Sequence, residues 1–371
     1  MPRELRIAYF AHSLRSDWNN GNAHFLRGLL HHLDKAGQDV TVFEQDSNWS
    51  IENLREEPLG QQSLQQFEET YPDLNVRLYR ADQAFDLETW HRALAEMDLV
   101  VLHEWNPPEL ADLLLKLRDE IGYQLLFHDT HHRASSSPQQ IKLFGIDRFD
   151  GVIAFGEALA DVYRTRFGLQ RVWTLHEAAD VEIFRPLPAS TKQQDVVWVG
   201  NWGDDERTDE IRRFLLDPAA ALPQSAFRIH GVRYPEAGLA ALQVAGVSYG
   251  GYLPNLDAPE IFAESRLTVH VPRQQYSGAM TGIPTIRVFE ALACGIPLIS
   301  APWKDTENLF HEGDFLWADN TADMIRAMEH LLTHQDEAQE QADRGLETVL
   351  ERHTCAHRAQ QFLQIAEELF R

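Results

Sequence analysis

YSGAMTGIPTIRVFEALACGIP, residues Tyr276–Pro297, is the stretch from which the fold is read. It divides into a glycine-containing loop, a helix and the start of a strand. Pro284 opens the helix, because a proline in the first turn gives up no helical hydrogen bond and its φ is already set. Gly295 closes it, since glycine takes the left-handed conformation that ends helices without a Cβ penalty. Ile286, Phe289 and Ala293 fall on one face at helical spacing and are expected to pack inward. Arg287 and Glu290, three apart, share another face. Gly278 and Gly282 let the backbone approach a ligand closely. The free N–H groups and positive dipole end at Thr285–Arg287 suit a diphosphate. A carboxylate on the second turn suits two vicinal hydroxyls, such as those of a ribose. The same residues also read as an ordinary loop followed by a surface Arg–Glu pair.

Strand and helix patterns alternate in this way along most of the chain. Ile7–Phe10, Val40–Phe43, Val76–Tyr79, Leu99–His103, Gln124–His128, Val152–Phe155 and Val172–Leu175 read as strands. Leu26, Leu29, Leu30 and Leu33 recur at helical spacing before Gly37, and Glu109–Glu120 and Glu157–Phe167 follow the same period. The pattern pauses from Ala178 to Gln194, a stretch with Pro186, Pro188, Ser190 and Thr191. It restarts with strands at Val196–Val199, Phe227–His230, Val247–Tyr249, Leu267–Val271, Pro297–Ser300 and Phe315–Trp317. Helices are expected at Arg207–Leu216, Ala258–Glu264, Thr285–Cys294 and Thr321–Leu332, and from Asp336 to the end. Such alternation predicts α/β domains with doubly wound, mostly parallel sheets. The expected division is 1–183, a linker 184–194, 195–352, and a C-terminal helix 353–371 packing back towards the first domain. Ligands of such domains bind at the carboxyl ends of the strands. If those ends face each other, the cleft between the domains is the site.

A chain of 371 residues is long enough for two full cores. Its 33 Lys and Arg against 57 Asp and Glu leave a net charge of −24. That balance argues against a nucleic-acid backbone and against broad docking on an anionic membrane. It leaves room for a local basic pocket. No apolar run is long enough for a signal peptide or a membrane span. The two cysteines, Cys294 and Cys355, make neither a disulfide framework nor a CxxC metal site. A reducing cytoplasm is the expected location, and Cys294 reads as packing.

TGIPTIRVFEALACGIPLIS, residues Thr281–Ser300, resembles the nucleotide-sugar segment of GT-B glycosyltransferases. It is similar to the spore-maturation-protein-B-like (CgeB-like) branch, related to the family-4 retaining enzymes. HEAADVEIFRP (His176–Pro186), DVVWVGNW (Asp195–Trp202) and HTCAHRAQQFL (His353–Leu363) resemble further parts of that branch. The resemblance implies two Rossmann-like domains facing across a cleft, with a nucleoside-diphosphate sugar held mainly by the second. By position, Glu290 would hold the ribose. The backbone of Gly282, Ile283, Pro284 and Thr285 would hold the diphosphate, helped by Arg287 or Arg273. Gly200 and Asn201 would line the phosphate side. His230-Gly231 and Gly251-Tyr252-Leu253 would flank the base. The wider family carries a second glutamate eight positions before the ribose glutamate; here that position is Gly282.

Leu126–Arg133 ends a strand with His128, Asp129, His131 and His132. Three histidines and an aspartate so close suit a metal, but adjacent His131 and His132 cannot easily share one. No metal ligand is therefore assigned. The resemblance implies instead that His128 or Asp129 lies near the anomeric carbon. Neutral His128 would bond a sugar hydroxyl or the leaving phosphate, and Asp129 would serve as base in an inverting enzyme. Alternatively His128 caps its strand by bonding backbone. His103-Glu104-Trp105-Asn106 either shapes the acceptor site or forms a turn with Trp105 packed on its helix. Gly21 and Asn22 are placed to approach the donor phosphates and Trp18 to stack on a sugar, unless that loop is simply mobile. Arg207 either contacts phosphate or pairs with Asp204-Asp205-Glu206.

The expected activity is glycosyl transfer from a nucleoside-diphosphate sugar to a hydroxyl acceptor. Retention is expected, with no obligatory metal and no cofactor. The acceptor is a glycan, a lipid-linked sugar, a protein or a small metabolite. The alternatives are a nucleotide-sugar epimerase or hydrolase on the same fold, or a non-catalytic nucleotide-binding scaffold.

Overall fold

The computed structural model describes residues 4–188, 191–203 and 206–371. Ala189 and Ser190 of the expected linker, and the acids Asp204 and Asp205, lie outside the described residues. The chain forms two compact units, Met1–His176 with Cys355–Arg371, and Glu177–Thr354.

The first unit is built on a seven-stranded sheet ordered β3-β2-β1-β4-β5-β6-β7. Its strands are β1 (Arg6–Ala11), β2 (Asp39–Gln45), β3 (Asn75–Tyr79), β4 (Leu99–His103), β5 (Gln124–Asp129), β6 (Gly151–Ala154) and β7 (Val172–Thr174). Every neighbouring pair is parallel. The central strands are covered on both faces, so β4 is buried along its whole length. The helix Ala23–Lys35 buries Phe25, Leu26, Leu29, Leu30 and Leu33, the face that the leucine spacing predicts. Each fully buried aliphatic side chain contributes about 1.5–3 kcal/mol relative to exposure.

The second unit carries a six-stranded parallel sheet ordered β10-β9-β8-β11-β12-β13. Its strands are β8 (Gln194–Val199), β9 (Phe227–His230), β10 (Ser248–Tyr249), β11 (Ser265–His270), β12 (Leu298–Ser300) and β13 (Leu316–Trp317). In both sheets the order reverses beside the first strand, at β1/β4 and at β8/β11. The loops that leave the two strands of such a pair diverge to opposite faces and open a crevice at their carboxyl ends. Among the described residues no helix is long and apolar enough to cross a membrane.

Two elements differ from the sequence expectation. Arg207–Leu216 is not one α-helix: Thr208–Ile211 is α-helical and Arg212–Leu216 widens into a π-turn. Pro218 has no N–H for the carbonyl of Phe214, and its ring would crowd that carbonyl, so the ladder relaxes around it. The helix expected from Asp336 onward breaks at His353–Thr354, between Gln335–Arg352 and Cys355–Leu369. There Thr354 forms a parallel bridge with Ala179, whose N–H donates to His353 O at 3.0 Å. The imidazole of His353 lies 2.6 Å from Leu309 O. The last helix belongs to the first unit, where Arg358 Nε donates to His176 O at 2.9 Å.

Candidate functional site

In the second unit the residues following β8, β9 and β11 converge. Gly200 N–H donates to His230 O at 2.8 Å. The side-chain oxygen of Asn201 accepts Val232 N–H at 3.0 Å and so ties the loop after β9 to the loop after β8. Gly231 lies where a Cβ would come 2.1 Å from Gly200 O, so no side chain fits there. Gly231 N–H donates to Gly251 O at 2.9 Å, and half-buried Tyr252 follows. Buried His230 has neither ring nitrogen partnered, and burial holds its pKa near 4, so it is neutral at pH 7.

The helix predicted from the proline and glycine signals runs Ile286–Ala293. Thr285 occupies its cap position, extended, with no side-chain cap bond. Glu290 is fully buried. One of its oxygens accepts Asn255 Nδ2 at 3.0 Å, and the other pairs with Arg287 one turn back. This arrangement orients the Glu290 carboxylate, a group with about four acceptor sites. Gly282 and Ile283 are buried before the helix. Gly282 has a φ of +90°, its N–H donates to Lys304 O at 2.6 Å, and a Cβ there would lie 2.4 Å from Thr306 Oγ1. This backbone has no room for a glutamate at 282, and its N–H is already used. The N–H groups of Thr285 and Arg287 have no partner among the described residues.

Three arginines crowd this end of the sheet. Arg273 pairs with Glu206, which also accepts Gln275 Nε2 at 3.0 Å. Arg207 donates to Val271 O at 3.1 Å, stacks on Trp198 with 5.4 Å to the ring centroid, and keeps an unpartnered Nε. No carboxylate pairs with it among the described residues. Burial, then Arg273 and Arg287, lowers its pKa to about 9. Such excess positive charge attracts an anion.

The first unit has its own polar cluster at the ends of β1, β4 and β5. His103 and His128 are register partners, both buried. Tyr9 OH lies 2.7 Å from His128 Nδ1. An imidazole lone pair accepts better than a phenol oxygen, so the phenol donates and the ring proton sits on Nε2. That Nε2 is buried without a partner, and burial lowers the His128 pKa to about 3. His128 bonds a side chain through Nδ1, and not the backbone. Asp129 is also buried; it accepts the Tyr163 hydroxyl and, at 2.9 Å, the His131 N–H. Burial raises its pKa to about 6. Glu104 is fully buried against Arg133, whose guanidinium lies 3.9 Å from the Trp105 ring centroid. Trp105 thus packs on Arg133 and meets His131 edge-on.

The loop after β1 is pinned. Buried Arg27 donates to Leu14 O at 2.7 Å and Arg15 O at 2.9 Å, and Glu44 accepts Leu14 N–H at 2.7 Å. Trp18 is 8% exposed, donates to Glu57 at 2.8 Å and meets Trp49 edge-on, so it is held as packing and not as a sugar platform. Gly21 sits in the turn before the helix Ala23–Lys35, and Asn22 donates to Thr130 Oγ1 at 2.7 Å. Among the described residues no group of three or more His, Cys, Asp or Glu is arranged to hold a metal. Sequence reading missed Tyr9, Tyr163, Asn255 and Glu177. Each is brought to its partner by tertiary packing across tens of residues, and no local spacing announces it.

Residues 207–364 match a family model described as glycosyl transferase-like. No curated protein matches the chain. Solved structures that it resembles include HepE of Anabaena in complex with UDP and glucose, at TM-score 0.71 and 13% identity over 98% of this chain and all of that one. Sucrose-phosphate synthase of Thermosynechococcus elongatus gives TM-score 0.69 and 16% identity over 99% of both chains. A mutant of S. aureus TarM in complex with UDP, fondaparinux and a GlcNAc-glycerol gives 0.68 and 10% identity over 97% of this chain and 99% of that one. The chain therefore has two Rossmann-like parallel-sheet domains of the GT-B type.

Proposed function

We propose that this chain is a glycosyltransferase that moves a sugar from a nucleoside-diphosphate donor to a hydroxyl acceptor, with retention and without an obligatory metal. The observation that carries the reading is the buried Glu290, oriented by Asn255 and Arg287 on a helix whose open N-terminus stands beside a charge-excess arginine cluster. A ribose and a diphosphate need that pairing of acceptor and donors. The family match over the same segment and the fold shared with a structure holding UDP and glucose support it. The donor-site residues in the proposal are Gly200, Asn201, Arg207, Gly231, Tyr252, Arg273, Ile283, Pro284, Thr285, Arg287 and Glu290. Gly21 stays a candidate phosphate contact. Gly282 shapes the loop, because its N–H is taken by Lys304.

The hard step breaks the bond between the anomeric carbon and the diphosphate oxygen. The bonding pair leaves with the diphosphate, whose growing charge is met by the N–H groups of Thr285 and Arg287 and by the arginines. The acceptor oxygen forms its bond to the same face of the anomeric carbon, and its proton passes to the departing phosphate oxygen. In this reading His128 offers Nε2–H to a substrate oxygen, and Asp129 orders the loop that follows it.

The test is a thermal-shift panel of UDP, GDP, ADP, dTDP and CDP, with and without EDTA. A selective upward shift, unchanged by EDTA, is expected, because a ligand bound only to the folded state stabilises it. No shift with any diphosphate sinks the reading. Release of product only when an acceptor is present separates transfer from hydrolysis or epimerisation.

A further inference from the structure

Glu177 is a buried carboxyl that the proposed reaction does not yet use, 3% exposed in the second unit. It accepts the N–H of Ile286, the first residue of the helix that carries Glu290. Its Oε1 is buried and has no partner. Arg287 and Glu290 are the charged groups that act on it, both from that helix. Arg287 already pairs with Glu290. Ionised Glu177 would set a second carboxylate beside Glu290, at the helix end where a diphosphate has to dock. Two carboxylates and a diphosphate around one arginine repel one another. A neutral carboxylic acid instead has one acceptor for Ile286 N–H and one O–H to give.

We propose that Glu177 is a donor-positioning residue that works as the neutral acid, keeping Ile286 N–H on one oxygen and donating from Oε1 to a phosphate oxygen of the nucleotide diphosphate. The inference rests on the donor-site reading above. Burial, then the charge of Glu290, raises the Glu177 pKa to about 8, so the acid form prevails at neutral pH. Of the other groups near that helix end, Arg207, lowered to about 9, titrates in the same window, and the Glu177→Gln variant isolates its share. Cys294, on the same helix, is held well above its usual range by burial and by Glu290. The second ionisation of a phosphate lies near pH 6.

Binding to the acid form alone has a defined pH signature. Diphosphate affinity is level to about pH 7.5, then weakens towards tenfold per pH unit above 8, with uptake of about one proton per site. The experiment is calorimetric titration of wild type and Glu177→Gln with UDP, and with GDP and ADP, from pH 6.5 to 9.5 in buffers of differing ionisation enthalpy. The glutamine amide keeps an acceptor and a donor and never ionises. Its affinity is expected to decline above pH 8 by the Arg207 contribution alone, less steeply than wild type, and to exceed wild type about tenfold at pH 9; parallel profiles for the two proteins overturn the role of Glu177. Glu177→Ala is expected to bind more weakly at every pH. A level wild-type profile without proton uptake overturns the role of Glu177 while leaving the donor site standing, and that measurement needs no variant to fold. Absence of binding by wild type at every pH overturns the donor site, and this inference with it.

Discussion

Glu290 and His128 are both fully buried polar residues, and each has its orientation set by side-chain partners. Glu290 is held by Asn255 and Arg287. Replacing it with alanine removes the carboxylate to which Asn255 Nδ2 donates, and with it the proposed ribose acceptor. Nucleotide affinity is expected to fall by about 1–3 kcal/mol, the cost of a broken buried charged set. Calorimetry with the best diphosphate of the panel checks this, and unchanged affinity rejects the ribose assignment. Tyr9→Phe removes the hydroxyl that keeps the proton of His128 on Nε2. Turnover is expected to fall about tenfold, one hydrogen bond's worth of about 1.4 kcal/mol, with nucleotide affinity unchanged. Long-range proton–nitrogen spectra give an independent readout: the wild-type ring is the Nε2–H tautomer and the variant a mixture. The roles of these residues were only partly legible beforehand. Glu290 and Arg287 were found by their three-residue spacing, but Asn255 lies 35 positions away from Glu290 and Tyr9 lies 119 from His128.

The loops and helices were the more readable scale. Pro284 and Gly295 marked the helix ends because their backbone preferences are local. The widened turn at Arg212–Leu216 was missed because its cause is the fit of one proline into the next turn. Glycines separate two kinds of constraint. Gly37 has a φ of +83° and open space around its would-be Cβ, whereas at Gly231 a Cβ would strike Gly200 O at 2.1 Å. Gly37→Ala is expected to cost about 1–2 kcal/mol, the price of a left-handed backbone for an L-residue. Gly231→Ala is expected to cost more, since the loops after β8 and β9 must also part. Urea titration of the two variants checks the order; equal losses would show that the Gly200–Gly231 contact yields freely.

The whole molecule folds two sets of ionisable groups in opposite senses. Half-buried His12 and buried His103, His128, His230 and His270 have pKa values depressed, desolvation being the leading cause in each. A depressed folded pKa means that the unfolded state binds more protons below pH 6.5, so their contribution is lost as pH falls below that value. Glu44, Glu104, Asp129 and Glu177 are raised, again chiefly by burial. Their contribution is full below the unfolded carboxylate range and is lost as pH rises towards the folded values. The two sets oppose each other up to about pH 7.5, where the unfolded imidazoles have released their protons; above that the raised carboxylates dominate. Calorimetric Tm is expected to fall from about pH 7 to 8, as Glu177, raised to about 8, begins to ionise in the folded state. A Tm that climbs to pH 8 contradicts the burial of these acids in neutral form. The net charge of −24 acts in the same direction, since self-repulsion grows as remaining acids ionise.

Alternation of apolar runs with helical periods sufficed to place all thirteen strands of the described residues and to predict mostly parallel sheets, because side-chain periodicity and turn chemistry act over a few residues. The helix Ile286–Ala293, with Arg287 and Glu290 on one face, was legible for the same reason. Tertiary structure alone decided which polar groups are buried together. It gave His128 a phenol partner, engaged both oxygens of Asp129, took the Gly282 N–H for Lys304, and set Glu177 beside Glu290. These pairings depend on the distances at which packed elements meet. A buried polar group settles on whatever partner the packing brings within reach, and one sequence read alone does not contain that distance.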